Sequence, residues 1–202
     1  MLRLVLICYE DMPLIQRCIE SAPFVDEVVA VDGRYIDYPV GPMESTDGTI
    51  EYLESIGVRV IHLPGVQEVE KRNAYLVGKE GDWYLHLDAD EEWFGGKPEI
   101  DPEVDAYIVD LHRAYPKSPI DRVRLFRHVD GLHYEKKHYW LHDSQGRTFA
   151  LLQKVGENYR GKRLEGFGIQ HNELERPPLR QRDRKLYYNI LIRREHPIQE
   201  IL

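Results

Sequence analysis

The chain has 202 residues, 42% hydrophobic and 31% charged, with a formal net charge of −8 and two cysteines. That length and apolar content suit one buried core, so a single domain over 1–202 is expected. The acidic balance, with a pI near 5.6, excludes a general nucleic-acid binder, which carries a basic patch.

The N-terminal Leu4-Val5-Leu6-Ile7-Cys8 reads as a strand that ends at Tyr9-Glu10. It leads into a helix whose apolar face includes Leu14, Ile15, Cys18 and Ile19. Cys8 and Cys18 therefore suit reduced core positions better than a disulfide or zinc pair, and a cytoplasmic location is expected. The first residues lack a small-residue cleavage site, and no run nears the roughly 20 apolar residues of a membrane span. Val28-Val29-Ala30-Val31 predicts a second buried strand, ending at Asp32-Gly33. In Ser45-Thr46-Asp47-Gly48-Thr49, cap-forming side chains precede apolar spacing at Ile50, Leu53 and Ile56, which predicts a helix start. Lys71-Arg72-Asn73-Ala74 is expected to open the next helix.

The run Trp83-Tyr84-Leu85-His86-Leu87 then stops at Asp88-Ala89-Asp90-Glu91-Glu92. Residues two apart on a strand share a face, with Cα atoms roughly 6–7 Å apart, so Asp88 and Asp90 are expected to share one divalent cation. Mg²⁺ or Mn²⁺ is the natural ion, since hard cations take carboxylate oxygens and keep positions open for phosphates. A strand followed by an acidic turn is the plainer alternative.

Further along, 104–112 and 121–128 alternate like strands, and 134–140 and 148–152 read as strands or loops. Residues 166–171 read as a strand ending in His171, with Arg176 close behind. From Pro177 onward, Arg180, Arg182, Arg184, Lys185, Arg193 and Arg194 alternate with Leu179, Leu186, Ile190 and Leu191. That pattern predicts an amphipathic helix, packed on the core with a solvated basic face or drawn to an anionic membrane surface.

The ordered set over roughly residues 2–94 resembles the donor-binding half of family 2 glycosyltransferases, which have the GT-A fold. It comprises the Tyr-Glu and Asp-Gly strand ends, the Ser-Thr-Asp-Gly-Thr helix start, the Arg-Asn-Ala helix and the Asp-Ala-Asp-Glu-Glu strand end. The resemblance implies an α/β fold with a Rossmann-like mixed, mainly parallel sheet flanked by helices. It also implies a smaller acceptor-side β region and a C-terminal helix, with 1–94 binding the nucleotide-sugar donor and 95–202 the acceptor. Segment 34–44 departs from the pattern, as a lid over the nucleotide or as a longer surface loop.

By the same resemblance, Asp90 is the more direct metal ligand and Asp88 also faces the ribose. His171 supplies a third ligand or a diphosphate contact. Arg72 adds a positive group near the diphosphate, and Arg176 can reach a phosphate. Asp32 meets the nucleobase edge, Tyr9 packs on the base, and Glu10 follows in the turn or caps the next helix. An inverting enzyme needs a carboxylate near the acceptor hydroxyl as general base. Asp143, Glu135 and Asp110 are the candidates, with Asp143 preferred because it follows an aromatic segment; without a base, a retaining mechanism stays open.

The expected function is metal-dependent transfer of a sugar from a nucleoside-diphosphate donor to a saccharide, lipid-linked or protein acceptor. A nucleotide-sugar hydrolase and a non-catalytic nucleotide-binding scaffold are the alternatives.

Overall fold

The computed structural model describes residues 1–36, 38, 40–114, 119–135, 140–151, 153–176, 181 and 186. The first seven elements alternate: β1 (Leu2–Cys8), α1 (Leu14–Glu20), β2 (Glu27–Asp32), α2 (Thr49–Ser55), β3 (Arg59–His62), α3 (Glu68–Ala74) and β4 (Trp83–His86). Strands β5 (Glu91–Phe94), β6 (Ala106–His112), β7 (Ile120–Arg127), β8 (His133–Tyr134), β9 (Leu141–His142), β10 (Thr148–Ala150) and β11 (Gly161–His171) follow.

Eight strands form one mixed sheet in the order β3-β2-β1-β4-β7-β6-β11-β5. The first four run parallel; β7 is antiparallel to β4 and β6, β6 and β11 are parallel, and β5 returns antiparallel to β11. Strands β10, β9 and β8 make a separate three-stranded sheet.

The parallel strands are near-continuous apolar runs because both faces of the sheet are covered. Alternation along β1 sends Leu4, Leu6 and Cys8 to the face that packs Ile15 and Cys18 of α1 and Leu53 of α2. Val5 joins Val29, Val31 and Tyr84 on the other face, against Tyr75 at the end of α3. Arg3 interrupts the apolar run and is tied at the lower edge of the sheet, 2.6 Å from Asp82 and 2.5 Å from Glu27. The C-terminal ends of β1, β2, β4, β6 and β11 lie at the opposite, upper edge, together with the first residue of β5.

Two sequence expectations need correction. Helix α3 starts at Glu68, not Lys71, because the Glu70 carboxylate accepts the Gln67 N–H at 2.9 Å in a capping box. Arg72 therefore lies in the last turn of the helix rather than just inside its start. Strand β4 ends at His86, and the chain then turns, with the Glu91 N–H on the Asp88 carbonyl at 2.9 Å and the Asp88 N–H on the Glu91 carboxylate at 2.8 Å. The two aspartates are thus not on an extended strand, and their shared-face geometry does not hold.

The described residues of segment 34–44 are pinned across the upper strand ends. The Arg34 N–H meets the Met43 carbonyl at 2.8 Å, the Tyr9 hydroxyl donates to the Pro42 carbonyl at 2.8 Å, and Tyr38 packs edge-on to Tyr9 at 5.7 Å. Gly41 is required there: its φ is 122°, and a Cβ would meet the Tyr9 hydroxyl oxygen. No helix among the described residues is long and apolar enough to cross a membrane. The predicted basic helix from Pro177 lies outside the described residues apart from Gln181 and Leu186.

Candidate functional site

Open α/β sheets bind ligands at the carboxyl ends of their strands, and the titratable side chains of this chain gather there. Asp88 and Asp90 leave β4 in different directions. The Asp88 side chain is one-quarter exposed (25%), whereas that of Asp90 is fully enclosed (0%), so solvent reaches only the first. Asp88 Oδ1 lies 3.3 Å from Arg72 Nη2 and 3.5 Å from His86 Nε2, and its Oδ2 lies 3.6 Å from Arg124 Nη2. Asp90 Oδ1 is 2.6 Å from Arg176 Nη2, and its Oδ2 is 3.0 Å from His171 Nε2.

His171 reaches Asp90 because β11 ends in register with the start of β5, pairing His171 with Glu91. Burial alone lowers the pKa of this imidazole, but the hydrogen bond and charge of Asp90 outweigh burial and raise it. His86 is the opposite case. Burial, then the Arg124 and Arg72 guanidiniums, hold it well below the usual histidine range, so it is neutral. Burial opposes ionisation of Asp88, yet Arg124, His86 and Arg72 keep its carboxyl well below the usual range. Glu91 is pushed up to about 7 by burial, against the pull of Arg124 2.7 Å away.

Arg72 is buried and donates twice to Glu68 Oε1, from Nη2 at 2.7 Å and Nε at 3.0 Å. It also donates to the Tyr75 hydroxyl at 3.2 Å and lies 5.8 Å from the centre of the Tyr134 ring. Sequence reasoning missed Arg124, His86, Glu68 and Glu91 as members of this cluster. For Arg124 the signal was a basic residue in the Val123-Arg124-Leu125-Phe126 stretch of a buried strand. Its partner Asp88 follows β4, which pairs directly with β7.

Asp32 is buried, and both its oxygens are taken by Ser45, from the backbone N–H at 3.0 Å and the hydroxyl at 2.5 Å. Glu10 adopts a left-handed backbone, φ 54°, and its carboxylate accepts the Thr46 N–H at 2.6 Å. These two residues and Tyr9 thus hold segments 34–44 and 45–46 against the strand ends.

Behind Asp32, fully buried Lys71 donates to the Gly33 carbonyl and sits 5.3 Å from the centre of the Tyr35 ring. Burial lowers its pKa to about 8, with Asp32 opposing. A lysine depressed when folded destabilises the native state while charged, and that penalty is relieved as pH rises from about 8 to the unfolded value. Urea melts are therefore expected to show wild type gaining stability over Lys71→Met between pH 8 and 10.5, at no more than about 1.4 kcal/mol per pH unit. A constant difference across that window would refute the buried charge.

The acceptor-side candidates separate. Asp143 lies at the lower edge, in a cleft with Trp83 and Arg127, where β4 begins rather than where it ends. Its carboxylate accepts from the Gln145 and Arg147 N–H groups at 2.9 Å each, Arg147 Nε at 2.6 Å and the Tyr159 hydroxyl at 2.5 Å. Burial opposes ionisation there, but Tyr159 and the Arg147 donors hold the group far below the usual range, so it anchors a turn and makes a poor base. Asp110 pairs with Arg163 at 2.6 Å on the sheet surface. Glu135 is half exposed (51%) and 3.8 Å from His142. It follows Tyr134, whose backbone is held by Asn73 of α3 at 2.7 and 3.0 Å.

As metal donors, the Asp88, Asp90 and His171 side chains are of the right type for Mn²⁺ or Mg²⁺. The structure brings Asp90 and His171 together, while Asp88 faces Arg72 and Arg124. Among the described residues, no three His, Cys, Asp or Glu side chains stand grouped as a ready ligand set.

No protein-family model matches the chain. It is 27% identical over 189 residues to a TPR repeat-containing protein of Synechococcus elongatus, covering 89% of this chain and 44% of that protein. It is 35% identical over 79 residues to an uncharacterized glycosyltransferase of Rickettsia bellii, covering 39% of this chain and 24% of that one. The chain thus spans less than half the length of the curated relatives it matches. Among solved structures, S. aureus TarS in complex with UDP is 20% identical with a TM-score of 0.43, covering 58% of this chain and 37% of that chain.

Proposed function

We propose that the chain is a glycosyltransferase domain of GT-A type that takes a sugar from a nucleoside-diphosphate donor, with 1–94 contributing the donor side and 95–202 the acceptor side. The observation that carries this reading is the clustering of Arg72, Arg124 and Arg176 around two aspartates at the upper end of β4. The 35% identity with a protein described as a glycosyltransferase supports it. Breaking the bond between an anomeric carbon and a diphosphate builds negative charge on the leaving phosphate. Fixed guanidiniums in a partly buried setting meet that charge without reorganising during reaction.

The resemblance assigns Mn²⁺ or Mg²⁺ to Asp88, Asp90 and His171, a set that would have to regroup from its ion pairs to hold the ion, which when bound would supply Lewis-acid stabilisation to the leaving diphosphate. The ion pairs of Asp88 with Arg72 and Arg124 keep its carboxylate ionised, and enclosure by Arg176 and His171 fixes Asp90 in place. Tyr9 and Asp32 would shape the nucleoside side indirectly, Tyr9 through the Pro42 carbonyl and Asp32 through the Ser45 that takes both its oxygens, with Glu10 bracing the turn. Glu135, beside the Tyr134 that packs on Arg72, is the carboxylate left to serve the acceptor hydroxyl. The acceptor is a saccharide, a lipid-linked sugar or a protein.

Thermal-shift titration with UDP, GDP, TDP and CDP, each with Mn²⁺ and with chelator, tests the reading. A ligand at about 100 times its dissociation constant adds roughly 2.7 kcal/mol of stability, a readily measured shift. A metal-dependent response to one nucleotide is expected. Silence toward all four in both conditions would sink the donor site.

A further inference from the structure

A second cleft, of about 660 Å³, opens at the lower edge of the sheet, away from the aspartates. Its walls include Glu80, Trp83, Arg127, Asp130, Arg147 and Tyr159, drawn from the start of β4, the end of β7, the β9–β10 turn and the segment before β11. The volume falls within the roughly 300–1,000 Å³ typical of small-molecule sites. Its parts are held firmly. Arg127 is fixed by Asp105 at 2.6 Å, and Arg147 by Asp143 at 2.6 Å, with the Arg147 guanidinium 5.8 Å from the centre of the Tyr159 ring.

Each arginine keeps N–H donors beyond those its carboxylate uses, and the Arg127 and Arg147 side chains are 38% and 46% exposed. The exposed donors can meet a ligand oxygen without breaking the ion pairs that hold them. The carboxylates of Glu80 and Asp130 are exposed at the same cleft, and among the described residues neither makes a hydrogen bond or ion pair. They add acceptors and repel polyanions, so a nucleotide or free phosphate is disfavoured. Trp83 and Tyr159 contribute apolar surface between these polar groups.

Donors, acceptors and apolar surface interleaved without net cationic character suit a ligand whose hydroxyls donate and accept on a partly apolar ring. From this we infer that the lower cleft is a binding site for a neutral saccharide, separate from the upper site. The assignment does not depend on the transfer reaction, because the cleft lies at the other end of β4.

The full chain is titrated with chitotriose, cellotriose and mannotriose while the tryptophan indole resonances are followed by NMR. At least one trisaccharide is expected to shift the Trp83 signal, with affinity reduced about tenfold or more in Asp130→Arg and in Glu80→Arg. Both substitutions fall at exposed positions and leave the nucleotide response at the upper edge unchanged. A Trp83 signal unmoved by all three sugars, or equal affinity in both variants, overturns the assignment. A shifted Trp83 signal in a protein silent to nucleotides would uphold the cleft while refuting the donor site.

Discussion

Replacing Asp90 by asparagine is expected to abolish the nucleotide response and to cost about 3–5 kcal/mol in stability, the usual penalty for breaking a buried ion pair from one side. The carboxylate is fully enclosed between Arg176 and His171, so its loss strands positive charge where water cannot compensate. His171 can adapt: without the hydrogen bond and charge of Asp90, its raised pKa falls and it can release its proton. Arg176 cannot lose its proton at any accessible pH. The variant is therefore expected to remain destabilised across the whole neutral range, whereas His171→Gln loses less. Urea midpoints for the two variants provide the check. An Asp90→Asn protein with wild-type midpoint and an intact nucleotide response would show that this carboxylate holds nothing.

Arg124→Met is expected to reduce transfer by about 10²–10³-fold, the scale seen when one preorganised charge is removed from a reacting group. It also removes the cation that opposes burial at Glu91. With Arg124 gone, the Glu91 pKa climbs above about 7, while its unfolded value stays near the ordinary 4.5. A carboxyl raised in the folded state destabilises as pH rises from the unfolded value through the folded one. Wild type has met that whole cost by about pH 7, but the variant goes on losing stability above it. The gap between the two proteins is thus expected to be wider at about pH 9 than at about pH 6 in urea melts. A gap independent of pH would mean that Arg124 does not face Glu91.

The parallel strands were legible because β1, β2 and β4 are buried on both faces and read as apolar runs. The loop residues were legible by type rather than by geometry. Asp88 and Asp90 stand out in any reading, but the inference that they face one way assumed a strand that stops at His86. The start of α3 was misplaced because Gln67 is a less familiar cap than serine or aspartate, although Glu70 three residues later completes the box. Arg124 was hidden for another reason: nothing local indicates that β7 inserts beside β4, so its partners could not be named. The preference for Asp143 rested on its place after aromatic residues, and chain proximity says nothing about which end of the sheet a hairpin turn reaches. Segment 34–44, left open as lid or loop, is tied at Pro42 to the Tyr9 hydroxyl and closed on itself by Arg34 and Met43.

Strand β5 follows β4 closely in sequence yet sits at the far edge of the sheet, bonded to β11. The turn that carries Asp88 and Asp90 is therefore the bridge from an interior strand to the far edge of the sheet, and its final partners arrive only when residues 161–171 dock. Such pairing across some 80 residues closes a long loop and makes late, slow assembly the norm. A fragment ending near residue 94 would keep every element of the βα repeat but none of the contacts that neutralise Asp90. The N-terminal half thus carries the motif without being a module, and proteolysis or truncation within β11 disarms the site from a distance.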